Sequence, residues 1–210
     1  MAKPTSETAI ANLSLSHLKV DPVLSISPPD SDNPNAAIMA KWYDQARRHT
    51  LEDHPWNFAM TRVTIASDAD SPAFEYDTRY QLPSNFIRLG RLGLDWDNPE
   101  RDYEIEGDWI LCDIETPLNL VYVWDIEQVS KFSPKFITTL SYRLAADAGY
   151  EITGNSALVE VMEKQYQAHL TSAAAIDGQN RPTRRVQRSR FADARRNTSR
   201  FRDWQMWGDN

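Results

Sequence analysis

Apolar residues recur every three or four positions near both ends of the chain and alternate with polar ones between, so the pattern predicts helices flanking a β region. Residues 6–18 form the first expected helix, with Ile10, Leu13, His17 and Leu18 on one side. The linker VDPVLSISPPDSDNP follows, and its prolines, serines and aspartates set turns. Asn33 is placed to cap a second helix over 34–54. Pro34 takes its first position, and Ile38, Trp42, Ala46 and His49 follow at helical spacing.

After Pro55 the period shortens. FAMTRVTIA, FEYDTRYQLP, FIRLGRLGL, YEIEGDWILCD and LNLVYVWDI alternate and are rich in β-branched and aromatic residues, while DNPE, EGD and ETP are turn chemistry. One small antiparallel sheet is expected over about 57–126. Ser133 and Pro134 then open a helix over 134–152, with Phe136, Ile137, Leu140, Leu144, Ala148 and Ile152 on its inner face. Gly154 stops it. A last helix over 156–176 carries Leu158, Met162, Tyr166, Leu170 and Ala173 on one stripe. The predicted class is α+β: an antiparallel bundle of about four helices with a small antiparallel β region inserted, residues 1–180, followed by an arginine-rich extension, 181–210.

Charge divides the chain at the same point. Residues 181–210 hold nine arginines and three aspartates, or +6, so the formal −7 of the whole chain leaves −13 on the other 180 residues. The extension also carries Phe191, Phe201, Trp204 and Trp207, apolar anchors that a purely solvating tail would not need. Arginine and aromatics dominate interface hot spots, and they equally suit phosphates and stacked bases. The stretch from Asp95 to Glu115 holds nine carboxylates in no EF-hand spacing, which reads as a solvated sheet edge with its loops.

Catalytic and metal patterns are sparse. His17, His49, His54 and His169 fall in separate elements, there is no HExxH and no glycine-rich phosphate loop, and Cys112 has no cysteine partner. No enzyme activity, metal or cofactor is expected. Cys112 reads as a buried thiol in a protein kept reduced. Trp42, Trp56, Trp109 and Trp124 fall in or beside predicted elements and read as core. The N-terminus lacks a secretory signal's apolar core and no run approaches the ~20 residues of a membrane span, so a soluble protein made in the cytoplasm is expected.

Several stretches resemble the head-to-tail adaptors of short-tailed phages, the tail tubular protein A family: AIANLSLSHL, Tyr43 with Ala46-Arg47, His54-Pro55-Trp56-Asn57-Phe58-Ala59, Tyr80-Gln81-Leu82-Pro83, and the Phe136–Ala146 run. The resemblance covers about Ala9 to Asp177. The glycine usual after the first helix stands here as Lys19 or is absent. The resemblance implies a structural virion protein at the head–tail interface, a ring, generally of twelve copies, between portal and tail nozzle. Its channel passes the genome without binding it specifically, and no membrane is involved. His54, Pro55, Trp56 and Phe58 are then a structural corner. Pro55 ends the helix, Trp56 and Phe58 bury the turn, and His54 is a cap or surface group at the helix C-terminus. Arg184, Arg185, Arg188, Arg190, Phe191, Arg195, Phe201, Trp204 and Trp207 are expected to grip the portal, and Asp95, Asp97 and Asp102 to line the channel. The competing readings are a nucleic-acid-binding protein that uses the basic tail and a connector of a long-tailed phage.

Overall fold

A helix begins where a short polar side chain takes up its orphan N–H groups, and each of the described α-helices has such a residue before it. The computed structural model describes residues 5–93 and 102–179. Ser6 Oγ accepts from Ala9 N at 3.1 Å ahead of α1 (Glu7–His17). Asn33 Oδ1 accepts from Asn35 N at 3.0 Å ahead of α2 (Pro34–Asp53), whose first position is the predicted proline. Ser133 Oγ and Asn155 Oδ1, each at 3.2 Å, serve α3 (Pro134–Thr153) and α4 (Ser156–Gln179). Gly154 ends α3 at a φ of 65°, in the left-handed region.

The end of α1 departs from habit. Val20 N donates to Leu15 O at 3.0 Å and Lys19 N to Ser16 O at 3.2 Å, the paired bonds of a Schellman motif. That motif requires a left-handed residue, and Lys19 supplies it with a φ of 60°. A lysine therefore occupies a position that favours glycine.

Helix α3 packs against each of the other three helices. The core they share includes Ile10, Leu15, Met39, Tyr43, Leu51, Phe136, Leu140, Leu144 and Met162. The predicted faces of α3 and α4 hold, with Met162, Tyr166 and Ala173 buried on α4. On α2 the stripe is corrected by one position: Ala36, Met39, Tyr43, Ala46, Thr50 and Leu51 are buried, whereas Ile38 and Trp42 lie at the rim and His49 is exposed. Arg47 is what displaces the reading, because a charged residue sits inside the apolar stripe.

The expected single sheet is two. Strands β1 (Met60–Ile65), β6 (Leu118–Trp124) and β3 (Phe86–Leu92) form one antiparallel sheet with β6 central, while β2 (Thr78–Gln81), β5 (Trp109–Cys112) and β4 (Tyr103–Glu106) form another. Gly107, at a φ of 56°, opens the two-residue β4–β5 loop as a type II′ turn demands. The physical reason for two sheets is the second apolar layer: Leu118, Leu120 and Tyr122 of β6 face Tyr80, Ile110 and Cys112 across a small core of their own. Val123, on the opposite face of β6, joins the helical core. Covered on both sides, β6 reads as the near-continuous apolar run LNLVYVW. Cys112 is fully buried, as its sequence context predicts.

Candidate functional site

The corner at the end of α2 is built from the HPWNFA stretch and closed by a residue far along the chain. Pro55 follows His54, whose extended backbone (φ −144°, ψ 138°) takes the chain out of the helix. Trp56, only 1 % exposed, turns back and donates Nε1–H to Thr50 O at 2.7 Å, satisfying a carbonyl in the last turn of α2. Its ring meets Phe136 edge-on at 5.0 Å, and Phe58 meets Phe136 at 5.0 Å and Phe132 at 5.8 Å. These aromatics join the corner to the start of α3.

Asp177, in the last turns of α4, closes the corner from the other side. Its Oδ2 lies 3.2 Å from His54 Nε2 and accepts Asn57 N–H at 3.0 Å, while its carbonyl accepts from Asn57 Nδ2 at 2.7 Å. The His54 and Asp177 side chains are 17 % and 13 % exposed, so His54 caps α2 as predicted but is no surface group. Three turns of helix earlier, Tyr166 donates its hydroxyl to Asp53 Oδ2. Burial, then this bond and the Asp53 charge, push the Tyr166 phenol well above its ordinary range, so it remains the donor. Helix α4 is thereby fastened to the end of α2 at two points, one near its middle and one near its end.

Arg47, which sequence reasoning cited only as part of a motif, is a third fastening. Its side chain is 3 % exposed, Nη1 pairs with Asp125 and donates to Ile126 O at 2.9 Å, and so ties α2 to the segment after β6. Burial with no Lys-like flexibility suits arginine's fixed fork. A lone Arg inside an apolar period was the one available signal. A fourth contact joins three helices: His17 of α1 stacks on Tyr142 of α3 at 4.0 Å, and Tyr142 stacks on His169 of α4 at 4.7 Å.

Chemically these arrangements hold elements together. Among the described residues no group of three or more histidines, cysteines or acids is placed to hold a metal ion, and no helix is long and apolar enough to cross a membrane. Of the expected channel-lining acids, Asp102 is exposed and borders an open cavity with Asp113 and Glu115; Asp95 and Asp97 lie outside the described residues. So do all the expected portal-gripping residues, Arg184, Arg185, Arg188, Arg190, Phe191, Arg195, Phe201, Trp204 and Trp207. Trp56 is the only one of the four predicted core tryptophans that is fully buried, since Trp42, Trp109 and Trp124 are half-buried. No known protein family's model matches the chain, and no match to a characterised protein was found.

Proposed function

We propose that this chain is a structural virion protein, a head-to-tail adaptor of a short-tailed phage that assembles as a ring between portal and tail nozzle. The observation that carries the reading is the corner. His54-Pro55-Trp56-Asn57, within one of the most specific pieces of the resemblance, is fastened by Asp177 to the end of α4. The chain then enters 181–210, with its nine arginines and four large aromatics, from a braced point. An arm that is to transmit force between two stacked rings needs such a root. On this reading the four helices act as one antiparallel bundle and residues 181–210 dock on the portal. There the aromatics fill pockets and the arginines pair with acidic groups. The −13 charge of the body repels passing DNA and keeps the channel from holding it.

The test is native mass spectrometry of the full chain with the portal from the same genome, beside a chain ending at Asn180. Addition of a fixed number of copies that requires 181–210 is the expected result. No portal binding, with tight and steeply salt-dependent DNA binding instead, would replace this reading with that of a nucleic-acid-binding protein.

A further inference from the structure

Strand β4 differs from the other described strands in that Tyr103, Glu104, Ile105 and Glu106 are all exposed. Among the described residues it pairs on one side only, with β5, so its outer N–H and C=O groups form a template for another strand. Tyr103 and Ile105, 46 % and 40 % exposed, register with Cys112 and Ile110 and so lie on the inner face of their sheet. Glu104 and Glu106 lie on the outer face. The opposite edge, β2, is less open, because Asp68 N already donates to Arg79 O at 2.9 Å.

The other sheet offers two edges. Strand β3 is broken by two register shifts, which blunt an edge. The β1 ladder is uninterrupted from Met60 to Ile65. Its inner face presents Val63 and Ile65 to the small core, and its outer face presents Arg62 and Thr64, both exposed. The two edges therefore match in alternation and are opposite in charge.

We infer that β4 of one copy adds to β1 of the next. The strands run antiparallel in the register that sets Tyr103 against Ile65, Glu104 against Thr64, Ile105 against Val63 and Glu106 against Arg62. Apolar residues then meet on one face and an acid–arginine pair on the other, and the exposed Tyr103 and Ile105 gain cover. Self-pairing of β4 would instead bring Glu104 and Glu106 against one another. Joining two different edges makes the contact heterologous, the kind that closes into rings. The inference thus rests on the ring reading for closure, and the pairing itself is tested separately.

The experiment combines Thr64→Cys with Glu104→Cys in the full chain, oxidised at high concentration with and without the portal, since the native Cys112 is buried. The expected result is a ladder of reducible multimers beyond the dimer. Glu106→Arg or Arg62→Glu in that background should each reduce the ladder tenfold or more, and the two together should restore it. Absence of multimers under both conditions, or single reversals without effect, overturns the inference, as do products that stop at the dimer. A fixed-copy ring without cross-links keeps the ring reading and defeats the strand pairing. Cross-linked chains that never close and never bind portal keep the pairing and defeat the ring.

Discussion

Asp177 and His54 lie 123 positions apart in sequence and meet at 3.2 Å, with the Asn57 backbone N–H on the same carboxylate oxygen at 3.0 Å. One side chain thus joins the end of α4 to the turn that leaves α2. Removing it takes away an acceptor shared by a part-buried N–H and an imidazole, which costs about 1–3 kcal/mol. Asp177→Ala should lower the unfolding free energy by that amount in urea titration. Asp177→Asn, which keeps one acceptor oxygen, should lose less. Equal stability of all three chains would show that the corner holds without its clasp.

Lys19 holds a left-handed backbone conformation that favours glycine. A left-handed residue with a Cβ costs about 1–2 kcal/mol, and glycine's extra freedom in the unfolded chain offsets part of the relief on substitution. Lys19→Gly should therefore stabilise the protein by about 0.5–1 kcal/mol, while Lys19→Val, β-branched at positive φ, should destabilise it. The Lys19 side chain is exposed, so neither change disturbs packing. Thermal melts of the three chains give the order directly.

Arg47 and Arg48 are neighbours that share one acid, and the contrast between them is a measure of burial. Arg47 is 3 % exposed and Arg48 is 56 % exposed, with Arg48 Nε 3.1 Å from Asp125 Oδ2. Arg47→Ala strands the Ile126 carbonyl, leaves Asp125 with only the exposed Arg48, and should cost about 2–3 kcal/mol. Arg48→Ala should cost less than about 1 kcal/mol, the usual value for an exposed pair. Denaturant midpoints for the two variants decide it; comparable losses would refute the assignment of Arg47 as the fastening.

The helices were legible because each carries its own signals: Asn33-Pro34, Ser133-Pro134 and Gly154 mark boundaries through local chemistry that needs no partner. The α2 stripe was misread where Arg47 takes a core position, since periodicity counts charge as outside. The split into two sheets was not legible. Alternation tells which residues share a face of one strand, but it does not tell that β6 lies between β1 and β3 while β5 takes β2 and β4. The corner was legible as a turn from Pro55 and its aromatics. Its clasp was not, because an aspartate near the end of a helix has the same local signature whether it faces solvent or His54.

The His17–Tyr142–His169 stack should make the contact of α1 with α3 and α4 sensitive to pH. Burial first, and the nearby His169 second, lower the His17 pKa, and its Nε2 sits 3.1 Å from Ser141 Oγ. The folded state therefore favours neutral His17, while the unfolded chain takes up its proton near pH 6.5. Where the unfolded state binds more protons, stability rises with pH. The contribution of His17 is therefore fully present above about pH 6.5 and is lost progressively as the pH falls below it. Raised acids such as Asp147, shifted by burial, act in the opposite sense, so the whole-protein profile mixes signs and only a comparison isolates the histidine. Urea midpoints of the wild type and His17→Gln at pH 7.5 and 5.5 provide it. The wild type should lose more stability across that interval than the variant, and a parallel loss in both would place the pH sensitivity elsewhere.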